Sequence, residues 1–132
     1  MHRLYRSILL VALSFPLGMA GTVSAQTFPA KPVRLVASEA GGAGDIAARI
    51  IAAGVAAPLG QPMIVENRGG GVIPAGYVAK APPDGYTIVL HGSGLWLLGF
   101  MRDDVPWDPL RDFAPITLAV TSPNLVVVHP SL

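Results

Sequence analysis

The run Gly41-Gly42-Ala43-Gly44-Asp45 follows a strand-like stretch, Val33-Arg34-Leu35-Val36-Ala37, and precedes a helical pattern that opens at Ile46. Glycines between a strand and a helix leave backbone amides bare, and the helix N-terminus behind them adds partial positive charge. The chemistry of such a corner is anion binding by N–H groups, with Ser38 and Ala40 on the approach to it. Asp45 falls where a helix cap would, its carboxylate placed to accept bonds from first-turn amides. A plain turn with a structural cap is the other reading of the same spacing. No Lys-Ser or Lys-Thr pair follows, and the full dinucleotide glycine spacing is absent, so neither nucleotide motif is met.

A second small-residue loop, His91-Gly92-Ser93-Gly94, invites a nucleophile reading of Ser93. The nucleophile elbow needs glycines two residues before and two after its serine, and this loop lacks that spacing. Of the three histidines, His2 lies in the N-terminal leader and His129 close to the last residue, so a triad is not supported. Ser93 is better read as a hydroxyl and amide donor to a ligand, with Gly92 and Gly94 beside it. No residue is assigned a catalytic role. Trp96 is placed either to wall a pocket or to join the core. Arg68 could clamp a carboxylate bidentately, or form a surface ion pair with Glu66. Asn67 reads as a turn former ahead of Gly69-Gly70-Gly71. Glu39, inside the first loop, repels an anion unless it points to solvent or meets Arg34 or Arg68. No His/Asp/Glu cluster has metal-ligand spacing, and no metal or cofactor is expected.

These loops need a scaffold that sets them side by side. Val33–Ala37 reads as the first strand. A helix follows with Ile46, Ile50, Val55 and Leu59 on its apolar positions, closed by Pro58-Leu59-Gly60. Met63–Val65 forms a second strand, and a second helix runs from about Pro74 to Lys80. Pro82-Pro83-Asp84-Gly85 is a turn before a third strand, Tyr86–Leu90, and further strands are expected at Ile116–Val120 and Leu125–Val128. Strands alternating with helices over short connections predict an α/β fold with a doubly wound, mostly parallel sheet. Ligands bind beyond the carboxyl ends of such strands. In the order 2-1-3, the loops Ser38–Asp45 and His91–Gly94 would face one crevice. Trp107–Phe113 reads as a surface segment held down by its aromatics, without chemistry.

Residues 1–25 read as a cleavable export signal. Arg3 and Arg6 lead into the apolar Ile8–Leu13, and Val23-Ser24-Ala25 supplies the cleavage site, so the mature chain starts at Gln26. The apolar segment, interrupted by Ser14, Pro16 and Gly18, is short for a membrane span of about 20 residues. Removing Arg3 and Arg6 leaves seven basic against eight acidic residues, a net charge of −1 in place of +1. The basic balance belongs to the leader, and no nucleic-acid surface is indicated. With no cysteine there is neither a disulfide nor a thiolate metal site. An apolar content of 52% against 13% charged residues describes a packed globule rather than disorder. A parallel sheet needs cover on both faces, so the strand-like Val126–Val128 without a covering helix leads to the expectation of a piece of a larger protein.

Several longer runs carry a family resemblance. They are Lys31-Pro32-Val33-Arg34-Leu35, Gly41-Gly42 with Asp45-Ile46-Ala47-Ala48-Arg49, Leu59-Gly60-Gln61-Pro62 and Val65-Glu66-Asn67-Arg68. Val78-Ala79-Lys80-Ala81-Pro82-Pro83-Asp84-Gly85-Tyr86-Thr87 and Trp107-Asp108-Pro109-Leu110-Arg111-Asp112-Phe113-Ala114-Pro115-Ile116 continue them. Together they resemble the Bug (TctC-like) solute receptors of tripartite tricarboxylate transporters. The resemblance implies a type II periplasmic-binding-protein fold of two lobes, with residues 26–132 forming an incomplete first lobe. It implies a periplasmic, monomeric receptor that takes a small organic acid, usually a carboxylate, to a membrane permease driven by ion gradients. It places the ligand against backbone amides of the loop Ser38, Ala40, Gly41, Gly42, Gly44 and Asp45, with Gly92, Ser93 and Gly94 as further contributors. Three features depart from the family pattern: Glu39 stands where an apolar residue or proline is expected, Gly69–Gly76 is short, and the second lobe is expected beyond Leu132. From the residues alone, a secreted α/β hydrolase-like enzyme and a truncated, non-functional remnant stay open as alternatives.

Overall fold

Val33, Leu35, Val36 and Ala37 are each no more than 3% exposed, because β1 (Val33–Ala37) is the middle strand of a sheet covered on both faces. The structure is a computed structural model that describes residues 27–123 and 127–131; the leader read at residues 1–25 lies outside them. After β1 come α1 (Ala43–Leu59), β2 (Met63–Asn67), α2 (Ile73–Val78), β3 (Thr87–Val89) and α3 (Gly94–Met101). The strands are parallel in the order β2-β1-β3, with Leu35 opposite both Val65 and Ile88. The expected doubly wound α/β arrangement is therefore present.

Side chains alternate across a strand, so successive β1 residues serve different layers. Leu35 and Ala37 face Ala48 of α1, with Ile51, Met63, Val65, Ile88 and Leu90 packed around them. Val36, fully buried, belongs to the opposite face, where α2 packs against β1 and β3 with Pro74, Ala75 and Gly76 buried. On α1 the buried positions are Asp45, Ala48 and Ala52, spaced three and four apart as one helical stripe. Small residues on this stripe let the helix lie close to the sheet. Gly60, at φ 66°, ends α1 and donates its amide to the Ala57 carbonyl.

Boundaries shift by a few residues from the sequence reading. The helix α1 begins at Ala43 rather than Ile46, since Ile46 already donates to the Gly42 carbonyl at 3.1 Å. The β3 ladder extends past its three residues through Arg34 N–H to Tyr86 O and Leu90 N–H to Val36 O. The apolar stretch Leu95–Phe100 is helical, within α3.

The strand expected at Ile116–Val120 is absent. Ile116, Leu118 and Val120 are 75%, 79% and 55% exposed, and no ladder partner exists for them among the described residues. Of the strand expected at Leu125–Val128, Val127 and Val128 are exposed and unpaired, while Leu125 and Val126 lie outside the described residues. β-branched composition fits a pleated surface, but a strand exists only where a neighbour supplies the hydrogen bonds. Ala119 and Val120 instead flank α1 across an apolar hollow with Ile46, Ala47 and Ile50.

Candidate functional site

The three carboxyl ends of the strands open into the loops 38–42, 68–72 and 90–93, gathered on one edge of the sheet. In the first loop the chain folds back through a turn in which Gly42 N–H donates to the Glu39 carbonyl at 3.3 Å. Gly41 takes φ +80°, a conformation L side chains rarely adopt. Gly42 then caps α1 without a side-chain bond, so the amides of Ala43, Gly44 and Asp45 find no acceptor among the described residues. Ser38 lies across the loop from them, its Oγ 3.1 Å from where a Cβ on Gly44 would stand. Ala40, Gly41 and Gly42 are exposed, Ser38 and Gly44 half-buried.

Asp45 is not the cap. It is the third residue of α1, 4% exposed, and its carboxylate turns back under the loop. Oδ2 accepts the Gly41 amide at 2.9 Å, while Oδ1 accepts Asn67 Nδ2 at 3.0 Å and meets Arg49 Nε at 3.0 Å. The Gly41 amide first, then Arg49 and Asn67, hold its pKa down to about 2 against an ordinary 3.8, outweighing the opposite effect of burial. A carboxylate so compensated positions the loop and takes the Gly41 amide out of the set open to a ligand.

Asn67, read from the sequence as a turn former, is the residue that completes this arrangement. Its Nδ2 also donates to the Ser38 carbonyl at 2.9 Å, and its Oδ1 accepts Arg49 Nη2 at 3.2 Å. The signal lay in the register: Asn67 is the last residue of β2 and pairs with Ala37, the last of β1, beside the loop.

The third loop is held from outside. Trp107, 7% exposed, donates its indole N–H to the Leu95 carbonyl at 3.1 Å and meets the His91 ring edge-on at 6.5 Å. This bears out the reading of the Trp107 segment as tacked down by an aromatic. Ser93 caps α3 by its backbone alone, so its hydroxyl is not spent on the helix, and Gly92 and Ser93 are exposed. Trp96 is 44% exposed rather than core. The Gly69–Gly71 turn touches both neighbours. Gly70 lies against the Glu39 carboxylate, and the Gly71 carbonyl is 3.5 Å from His91 Nε2.

Arg68 is committed elsewhere. Its Nε donates to Glu66 at 2.8 Å and its guanidinium sits 3.6 Å over the Tyr77 ring. Arg34 is likewise engaged, with Tyr77 Oη at 3.0 Å and Thr87 Oγ1 at 3.1 Å. With Arg34 and Arg68 engaged, the loops offer backbone N–H groups, the Ser38 and Ser93 hydroxyls, the His91 ring and the Glu39 carboxylate rather than a cationic clamp. Among the described residues no cluster could hold a metal ion, and no helix is long and apolar enough to cross a membrane.

Protein BugT of Bordetella pertussis is 37% identical over 120 residues, 87% of this chain and 37% of its own length. A UPF0065 protein from the tcbD-tcbE intergenic region of Pseudomonas sp. strain P51 is 38% identical over 121 residues, 89% of this chain and 36% of its own. The chain therefore spans little more than a third of the length of these curated relatives. Among solved structures, the periplasmic binding protein BugD matches with a TM-score of 0.64 at 35% identity, over 67% of this chain and 31% of that one. R. palustris Rpa4515 with adipate matches with a TM-score of 0.55 at 33% identity, over 63% of this chain and 29% of that one. The family model described as the tripartite tricarboxylate transporter family receptor, TctC, matches residues 47–132, and the chain belongs to that family.

Proposed function

We propose that this chain supplies part of the first lobe of a periplasmic receptor for a small carboxylate. In this reading residues 1–25 direct export and are removed, and residues 26–132 begin the lobe. The ligand carboxylate is held by the amides of Ala43, Gly44 and Asp45, with the Ser38 hydroxyl alongside and Ala40, Gly41 and Gly42 shaping the approach. Gly92, Ser93 and Gly94 contribute amides and a hydroxyl from the neighbouring loop, and Asp45 acts by positioning. A second lobe closes over the ligand, and the loaded, monomeric receptor delivers it to the membrane permease of a tripartite transporter.

The observation that carries the proposal is the set of three acceptor-free amides at the start of α1, in a chain of a receptor family. Helix-terminal amides suit a carboxylate because they supply charge-assisted bonds without a competing cation. Adipate in the Rpa4515 structure supports the ligand class. The test is thermal unfolding of the receptor with a panel of mono-, di- and tricarboxylates. Binding stabilises the native state by mass action, by about 2.7 kcal/mol at a hundredfold excess over Kd, and so raises the apparent melting temperature. Absence of a shift with every acid in the panel would overturn the proposal.

A further inference from the structure

We propose that His91 is a positioning residue of the receptor: its Nε2–H, donated to the Gly71 carbonyl, clasps the third loop to the second and holds Gly92, Ser93 and Gly94 in place for the ligand. This rests on the carboxylate-receptor reading above and adds a working part to it.

The sheet does not set the distance between these two loops. In the order β2-β1-β3 they leave strands that are not neighbours, and each strand's ladder runs to β1 alone. A direct link must therefore come from groups beyond the strand ends. Among the described residues the contact of His91 Nε2 with the Gly71 carbonyl, at 3.5 Å, is the only hydrogen bond that joins the two loops.

The ring is held in that place by its surroundings. Trp107, 7% exposed and bonded to the Leu95 carbonyl, meets it edge-on at 6.5 Å. Its Cε1 lies 3.3 Å from where a Cβ on Gly94 would stand, so a glycine at the start of α3 leaves room for the ring. A neutral imidazole carries one N–H. On Nδ1 that proton would meet the Gly92 carbonyl, 3.2 Å away in the next residue, and would join nothing. On Nε2 it ties together segments 20 residues apart. Loops open locally at far less cost than the whole domain unfolds. A single long bond between them therefore governs how often the third loop swings away, while adding little to global stability.

Nitrogen-15 NMR of the receptor at about pH 8, where an ordinary imidazole is neutral, reads the ring tautomer. The Nε2–H form is expected at His91, its signal assigned by its loss in His91→Gln, and the Nδ1–H form overturns the proposal. Calorimetry then uses whichever of acetate, succinate, adipate and citrate shifts the melting of the native receptor most. His91→Phe, which keeps a ring against Trp107 but no donor, is expected to weaken binding at least about tenfold with an unchanged unfolding midpoint. His91→Gln, whose amide N–H reaches the place of Nε2, is expected to stay within about threefold of native. Native-like binding by His91→Phe, equal loss in both variants, or a midpoint that falls in step with affinity overturns the clasp and leaves the carboxylate receptor intact. If none of the four acids shifts the native melting, the carboxylate reading falls and the role of His91 in it falls too, whichever tautomer is found.

Discussion

Asn67 Nδ2 lies 3.0 Å from Asp45 Oδ1 and 2.9 Å from the Ser38 carbonyl, so one amide group on β2 ties the loop after β1 to the first turn of α1. The free amides of α1 keep their direction because this tie fixes the helix start. In Asn67→Ala, the Ser38 carbonyl loses its donor and Asp45 keeps only Gly41 and Arg49. Leaving partly buried groups unsatisfied costs about 1–3 kcal/mol. Chemical unfolding of the receptor should show that loss, and Asn67→Asp should cost more by facing Asp45 with a second carboxylate. A midpoint unchanged in both variants would show that the tie is not structural.

Asp45 sets a pH dependence with a definite sign. Its pKa is about 2 in the folded chain and 3.8 ordinarily, so the folded state favours the ionised form. The stability it contributes is fully present above the ordinary value and is lost as pH falls through the window from about 4 to about 2. Thermal melts across that range should show a declining midpoint. Asp45→Asn, which cannot titrate, should be less stable at pH 7 and lose less on acidification. Parallel pH profiles for the two proteins would count against this assignment.

The parallel order and the convergence of loops were legible in the sequence because local signals agreed there. A mostly apolar, strand-like run at Val33–Ala37, glycines at 41, 42 and 44, and turn residues at 82–85 all point to the same unit. Asp45 was misread as a cap because capping statistics describe a residue's neighbours along the chain, whereas its carboxylate is claimed by Asn67, 22 positions away. Asn67 itself was hidden for the same reason: an Asn before glycines looks like a turn until the register sets it beside Ala37. Ile116–Val120 carries the composition of a strand, but composition cannot say whether a ladder partner exists. Trp107 was legible as an anchor, though its acceptor, the Leu95 carbonyl, depends on tertiary packing.

Gly76 packs tightly under the strap at 106–107, most closely against Pro106. A Cβ there would stand 3.1 Å from Pro106 Cγ and 3.8 Å from the Trp107 ring. Gly76→Val should therefore push the 106–107 strap outward, at an overpacking cost of about 1–3 kcal/mol. In a Trp96→Phe background, Trp107 is the sole tryptophan, and its emission should shift to the red as the indole gains water. An unshifted spectrum with unchanged stability would mean that the strap accommodates the side chain freely.

Ser93 separates a ligand contact from a structural role. It precedes α3, yet its hydroxyl makes no capping bond, and the last connection of the loop to the fold runs through Trp107 and His91 instead. Ser93→Ala should therefore change stability by no more than about 0.5 kcal/mol, as for an ordinary surface position. If the hydroxyl donates to the ligand carboxylate, its removal forfeits one hydrogen bond to a charged group, worth about 1.5–3 kcal/mol, or roughly ten- to a hundredfold in Kd. Calorimetry and unfolding on the same variant distinguish the cases. Lost affinity with retained stability places Ser93 in the site, and the reverse pattern makes it a structural helix cap.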